Sequence, residues 1–302
     1  MGVAFGSALT SGKVRTIPVV GRLVGKRNTE HGMSLELIHI SDTHFGPDHS
    51  LEIRGANLWE RACALVEAIN DLPFQPDIIV HTGDVVNDPD LPAYAQAREV
   101  LSGLKVPVYY STGNHDDVAM MREALTLPQH ELLVPESTDK LCYQITHPAA
   151  DGYELFVLDG KVPPEDGFHG FISREQIEAL ANRISGDKPV AVFCHYPFSE
   201  IGSKWIDEHL LTTNRDEVLA MLKEKAGEQL KGIFSGHLHR GLTLFKNGVL
   251  NSGVSSPACE FTAVPAGDFC DFIPGGPIPF NHVTLTPEAT WVKAYSIPFK
   301  GA

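Results

Sequence analysis

The chain has 302 residues, 43% of them hydrophobic, and a formal net charge of −14 from 24 Lys and Arg against 38 Asp and Glu. That length and composition suit one large α/β globule or two modest ones. No apolar run approaches the roughly 18 residues of a membrane span, and the start lacks the charged, apolar and cleavage regions of a secretory signal. A cytoplasmic protein without a membrane partner is therefore expected. Lys13, Arg15, Arg22, Lys26 and Arg27 all precede the first acidic residue, Glu30, so the remainder carries 19 basic against 38 acidic residues, or −19. A body that acidic repels extended nucleic acid, and no nucleic-acid polymer is expected as substrate. The basic leader, 1–33, reads as a solvated extension, with Met33 an alternative start. Five cysteines without a CxxC pair read as reduced thiols.

From Leu35 onward, apolar β-branched runs alternate with stretches of helical period, which predicts a largely parallel sheet in the first half. "LELIHIS" is the first expected strand. A helix follows from about Arg54 to Asn70, with Leu58, Ala62, Leu65, Val66 and Ile69 on one face. "DIIVHTG" is the second strand, Pro92 to Leu104 the second helix, and "VPVYYST" the third strand, running into Gly113 and Asn114. "LCYQITH" and "YELFVLD", nearly adjacent, read as an antiparallel pair and so as part of a second sheet. Ser173 and Gln176 form a capping box for a helix to about Ile184. "PVAVFC" leads to His195, Asn214 or Asp216 opens a helix to about Lys225, and "GIFSG" leads to His237. Asn247 and Gly248 mark a hairpin turn. The segment from Ser255 to Pro279 is Gly- and Pro-rich and reads as an irregular cover, with "HVTLT" and "TWVKAYSI" as closing strands.

Polar residues gather where these strands end: Asp42 and His44 in "SDTHF", Asp84 in "TGDVVND", Asn114 and His115 in "GNHDD", His195 in "FCHYPF", His237 and His239 in "SGHLHR". Strand ends are where open α/β sheets build their sites. Each residue alone has an ordinary reading: an Asp caps a helix, an Asn serves a turn, a His is hydrogen-bonded in the core. Together they supply carboxylate and amide oxygens beside imidazole nitrogens, a donor set suited to first-row metals and not to a thiolate site. A residue gripping two metals must be a carboxylate, and Asp84 is the candidate, because Gly83 before it permits close backbone approach. His39 and His81, each three residues before one of these Asp, read as satisfied within strands. His31, His49, His130, His147, His169, His209 and His282 receive no role.

The ordered pattern DxH, GD, GNH followed by an acid, a single His, then GHxH resembles the calcineurin-like metallophosphoesterases, over roughly Leu35 to Ser256. The resemblance implies a four-layer αββα sandwich, two mixed β-sheets flanked by helices, with a dinuclear metal site at the strand ends. One metal would be held by Asp42, His44, Asp84 and His239, the other by Asp84, Asn114, His195 and His237. Two divalent or trivalent ions are implied, Fe or Mn first, with Zn or Co admitted by the mixed ligation. His115 would bind phosphate and assist the leaving group, and Asp116 either orients its ring or simply forms the turn. "GDVVND" lacks the "GDxVDRG" element of the Ser/Thr protein phosphatases, and His115 stands where the lipid-A pathway pyrophosphatases carry Arg.

The likeness is greatest to class III cyclic-nucleotide phosphodiesterases and bacterial glycerophosphodiesterases, through "GSKWIDEHLLTTNRDEVLAML" and "SSPACEF". Tyr196 departs from them, standing where they usually have a second His. What this implies is hydrolysis of a small phosphodiester, by in-line attack of a metal-bridging hydroxide. Rival readings are a phosphomonoesterase or nucleotidase on the same site, a nuclease, and a catalytically inactive scaffold. Tyr196, Phe45 and Asn214 are candidate substrate contacts, each also explained by packing or a helix cap. Residues 34–256 are expected to form the metallophosphoesterase domain, and 257–302 its covering segment and closing strands. That tail also offers a contact for a homodimer.

Overall fold

The computed structural model describes residues 28–29 and 32–299, with side chains from 34 onward. The basic residues Lys13 to Arg27 lie outside the described residues. In chain order the main elements are β1 (Leu35–Ile40), α1 (Leu58–Asn70), β2 (Ile78–His81), α2 (Leu91–Leu101), β3 (Val108–Tyr110), α3 (Val118–Ala124), β4 (His130–Leu132), β5 (Tyr143–Ile145) and β6 (Glu154–Leu158). They continue with α4 (Arg174–Arg183), β7 (Val190–Cys194), α5 (Lys204–His209), α6 (Arg215–Ala226), β8 (Leu230–Ser235), β9 (Leu242–Lys246), β10 (Val249–Gly253), β11 (Ile278–Leu285) and β12 (Thr290–Ile297). No helix among the described residues is long and apolar enough to cross a membrane.

Two mixed sheets result. The five-stranded sheet has the order β12-β11-β1-β2-β3, with β1, β2 and β3 parallel and β11 antiparallel to both neighbours. The seven-stranded sheet has the order β9-β10-β8-β7-β6-β5-β4, parallel from β10 to β6 and antiparallel at its edges. Side-chain alternation along a strand explains the layering. Leu155 and Val157 of β6, with Ala191 and Phe193 of β7, share a core with Leu37, Ile79 and Val80 of the other sheet. Phe156, Leu158, Val190 and Val192 point the opposite way, onto Ile177 and Leu180 of α4 and Val218 and Leu222 of α6. Each of the Val, Leu, Ile and Phe side chains, when fully buried, stabilises the fold by about 1.5–3 kcal/mol. The fold is thus a helix–sheet–sheet–helix sandwich, as the motif pattern implied.

Several local boundaries differ from expectation. The first helix starts at Leu58, capped by the Asn57 side chain, which accepts from the Glu60 N–H at 2.9 Å. Arg54 and Gly55, read as its first turn, are instead the tip of a small hairpin, both with positive φ. The buried stripe of α1 also includes Arg61, whose guanidinium donates to the Pro257 and Gly276 carbonyls and lies over the Phe299 ring. It thereby ties the Gly- and Pro-rich segment to the helix, an anchor hidden from hydrophobic periodicity because the anchoring residue is charged. Ser173 caps α4 through the Gln176 N–H, but the Gln176 amide does not close the box. It bonds both the N–H and the carbonyl of Asp159, fixing the exit of β6. The last strand pair begins at Ile278, four residues before the expected His282, because the final strand pairs back that far, Ile278 facing Ile297 and Pro279 facing Ser296.

Candidate metal centre

The ligand residues sit on loops that prolong the parallel strands. Beyond β1 and β2 the ladder continues as backbone bonds from Asp42 N to Gly83 O at 3.0 Å, His44 N to Asp84 O at 3.1 Å and Phe45 N to Val85 O at 2.8 Å. In the seven-stranded sheet Gly236 N donates to His195 O at 3.1 Å, and across the sandwich His237 N donates to both Asp42 carboxylate oxygens at 3.1–3.2 Å. Asp42, His44, Asp84, His237 and His239 all adopt positive φ, between 49° and 66°. The only other described non-glycine residues that do so are Arg54 and Asn247, both in hairpin turns. Left-handed backbone at non-glycine residues costs of order 1–3 kcal/mol each and collects at functional sites. Here it turns side chains of opposite sheets toward one point.

Two sets of ligand atoms converge there. Asp42, His44, Asp84 and His239 each present an atom within 4.8 Å of the others, as do Asp84, His195 and His237. Asp84 belongs to both. His44 Nε2 is 3.0 Å from His239 Nε2 and 3.7 Å from Asp84 Oδ2; His239 Nε2 is 3.3 Å from Asp42 Oδ1. In the second set His195 Nε2 is 3.3 Å from Asp84 Oδ2, 3.0 Å from His237 Nδ1 and 3.2 Å from Asn114 Oδ1. All of them except Asn114, which is half-buried, are buried.

The outer nitrogens decide what the inner ones offer. His195 Nδ1 faces Thr82 O at 2.7 Å and His239 Nδ1 faces Cys259 O at 3.2 Å, so each donates there and turns an Nε2 lone pair inward. Acceptors therefore point at acceptors: imidazole nitrogens at one another, at two carboxylates and at an amide oxygen. In the metal-free protein, protons on His195 and His239 relieve part of that crowding; two cations relieve the whole of it, and the oxygen and imidazole donors suit hard to borderline metals. The residues fit a pair of metal ions.

Proton affinities in the metal-free protein follow from the same geometry. Burial opposes charge on Asp84, but the charge and hydrogen bond of His195, then His115 and His44, hold its carboxyl well below the usual range. Burial lowers His195 and His239, yet Asp84 raises the first to about 9 and Asp42 the second to about 10. At His44 and His237 burial wins, and both fall to about 3.

Other sequence-predicted residues find definite places. His115 lies beside the first set, its ring edge-on to His44 at 4.9 Å, its backbone N–H donating to Asp84 Oδ1 at 2.9 Å and its Nδ1 held by Asn87 O at 2.5 Å. Asp116 does not orient that ring. Its carboxylate accepts from Gly113 N, Val85 N, Val86 N and the Tyr94 hydroxyl, so it braces the Asp84 loop against the Asn114 loop. The ring is held instead by a backbone carbonyl, which no residue-type pattern reveals. Tyr196 is buried, its ring 5.0 Å from those of His195 and His237, and its hydroxyl has no hydrogen-bond partner. Asn214 spends both ends of its amide on Ile172, and Phe45 is packed in the core. His39 and His81 bond Thr82 and Thr43 within the sheet, as expected. Ser256, unnoticed in the sequence, donates to Asp42 O at 2.7 Å and holds the first ligand loop.

A two-sheet sandwich with carboxylate, amide and imidazole ligands converging at its strand ends defines a metallophosphoesterase. Residues 35–241 match the profile of the calcineurin-like phosphoesterase family, and the chain belongs to that family of metal-dependent phosphoric ester hydrolases. It is similar to the 3′,5′-cyclic adenosine monophosphate phosphodiesterase CpdA of Escherichia coli K12, with 27% identity over 71% of this chain and 73% of that protein. Similarity extends to the glycerophosphodiester phosphodiesterase GpdQ of Enterobacter lignolyticus, 31% identical over 67% of this chain and 70% of that protein. The cAMP/cGMP dual specificity phosphodiesterase MT0825 of Mycobacterium tuberculosis is 30% identical over 67% of this chain and 61% of that protein.

Proposed function

We propose that this protein hydrolyses a small phosphodiester at the centre shared by Asp84, with a pair of Fe or Mn ions as the expected cofactor. The observation that carries the reading is one carboxylate common to two converging ligand sets, with His115 alongside. A pair of ions bound there supplies a nucleophile at neutral pH and neutralises charge on the transferred phosphoryl group. Asp42, His44, Asp84 and His239 would hold one, and Asp84, Asn114, His195 and His237 the other. His115 has its Nδ1 on a carbonyl, so Nε2 is the atom that exchanges a proton, donating to the departing alkoxide. Buried walls around Asp42, Asp84 and His195 exclude bulk water and strengthen these interactions. The named relatives act on cyclic nucleotides or glycerophosphodiesters, which supports a diester over a monoester.

The test is a substrate screen on protein stripped of metal and reloaded with Mn, Fe or Zn, comparing bis-p-nitrophenyl phosphate with its monoester. Diester turnover is expected to dominate; preference for the monoester would favour a nucleotidase. Asp84→Ala is expected to lose the metal pair and turnover together. His115→Ala is expected to retain metal while kcat falls about 10²- to 10⁴-fold. Full turnover in either variant contradicts these roles.

A further inference from the structure

Arg61 is an unexpected occupant of the buried stripe of α1. It is 3% exposed, and among the described residues no carboxylate forms an ion pair with it. A buried cation without a counter-charge is a costly way to fill space that a Leu or Met would fill with no polar group to satisfy. What a guanidinium adds is a rigid fork that holds two acceptors at once. Here the fork joins two stretches far from α1 in sequence: Nε donates to Pro257 O, and Nη2 donates to Gly276 O at 2.6 Å.

Pro257 lies inside the segment that wraps the first ligand set. Because a peptide unit is planar, fixing its carbonyl also fixes its N–H. The unit that presents Pro257 O to Arg61 presents the Ala258 N–H to Ser256 Oγ, at 2.9 Å. With a lone pair so engaged, the Ser256 hydroxyl turns its proton to Asp42 O at 2.7 Å. The same stretch reaches His239 twice: Ser256 N donates to His239 O at 3.3 Å, and Cys259 O accepts from His239 Nδ1 at 3.2 Å. Asp42 and His239 belong to the first set alone. The ligands peculiar to the second set are braced elsewhere, His195 by Thr82 O and the Asn114 loop by Asp116.

We propose that Arg61 is a positioning residue for one of the two metal ions, the one held by Asp42, His44, Asp84 and His239. It acts through the Pro257–Ala258 peptide and Ser256. The proposal rests on the metal-pair reading above and gives a residue outside the ligand loops control over half of that pair.

The test reads Mn(II) binding directly, by calorimetry and elemental analysis on the stripped full chain. Two backgrounds separate the ions: His195→Ala disables the second set and reports the first ion, while His239→Ala does the reverse. In the His195→Ala background, Arg61→Met is expected to weaken Mn(II) binding about 10- to 100-fold, as loss of a group supporting a ligand does. In the His239→Ala background it is expected to leave binding unchanged. Arg61→Lys keeps one donor and loses the fork, so an intermediate and equally selective loss is expected; it carries the decision alone if Arg61→Met does not fold. Ser256→Ala should reproduce the loss, and combining it with the Arg61 substitution should cost no more than the larger single effect, because both act on one path. Unchanged binding of the first ion overturns the proposal. So does equal weakening of both ions, which is what a general loosening of the fold produces, and so does strict additivity of the two substitutions. These outcomes leave the metal pair itself intact, whereas a wild type that binds fewer than two Mn(II) ions overturns the metal-pair reading and this proposal with it.

Discussion

Where Gly113 passes the Asp84 carboxylate, an added Cβ would lie 2.1 Å from Asp84 Oδ1 and 2.4 Å from Asp84 N. Gly113→Ala must therefore displace the shared ligand, and the expected result is a folded chain whose metal content, by elemental analysis, falls from about two ions to below one. Proton linkage gives a second expectation at this scale. In the metal-free protein His195 and His239 are raised to about 9 and 10, above the 6.5 of a free imidazole. Their pairing with Asp84 and Asp42 thus stabilises fully below pH 6.5 and is lost as pH rises through 9 to 10. Metal must displace those protons, so its affinity should rise over the same interval. Thermal melts of stripped protein from pH 6.5 to 10 should decline, while metal-loaded protein should not; parallel curves would contradict the assignment. The candidate ligands were legible from residue types at the strand ends, and their division between two ions from the family resemblance. The role of Asp116 was not, because adjacency in sequence says nothing of which backbone N–H groups a carboxylate will meet.

Strands and helices were read well where period and capping agree, as in α1, β6 and β7, and poorly where tertiary contacts made the element. β4 has no alternating signal of its own; it exists because β5 offers it a ladder. α3 rests on one cap, Asp117 accepting from the Met120 N–H at 2.9 Å. The edge of β3 shows the same dependence. There the Tyr143 hydroxyl, from the opposite sheet, donates to Tyr110 O at 2.8 Å and accepts from Tyr110 N at 2.9 Å. One side chain thus satisfies two buried backbone groups and stitches the sheets together. Tyr143→Phe leaves both unpaired and is expected to cost about 1–3 kcal/mol. Urea unfolding should show a lower midpoint at an unchanged slope; an unchanged midpoint would mean that water already serves those groups.

At the scale of the whole molecule, the chain's last strands close its first sheet, since β11 lies between β12 and β1. One half-buried carboxylate spans that closure. Glu36 on β1 accepts from His282 Nε2 and from Thr284 Oγ1, both at 2.6 Å, on β11. Burial raises the Glu36 carboxyl, but the His282 and Thr284 hydrogen bonds and the His282 and Lys293 charges outweigh it, leaving it below its ordinary 4.5. A depressed carboxyl stabilises above its unfolded value and loses that contribution as pH falls through the folded one. Glu36→Gln should therefore unfold more readily than wild type at pH 7 and approach it below pH 4.5, as followed by thermal melts. A gap that stays constant with pH would show that the carboxylate charge contributes nothing.

The sequence by itself determined the alternation of strands and helices and the candidate ligand residues, because period, glycine placement and donor chemistry are local properties of the chain, while the ordered motifs, through their family resemblance, implied the two-sheet sandwich. The tertiary structure alone decided which outer imidazole nitrogens meet backbone carbonyls, and where Asp116 and Gln176 are spent. Those depend on backbone carbonyls and neighbouring strands brought together from distant positions, and a carbonyl is the same in every residue until the fold says where it points.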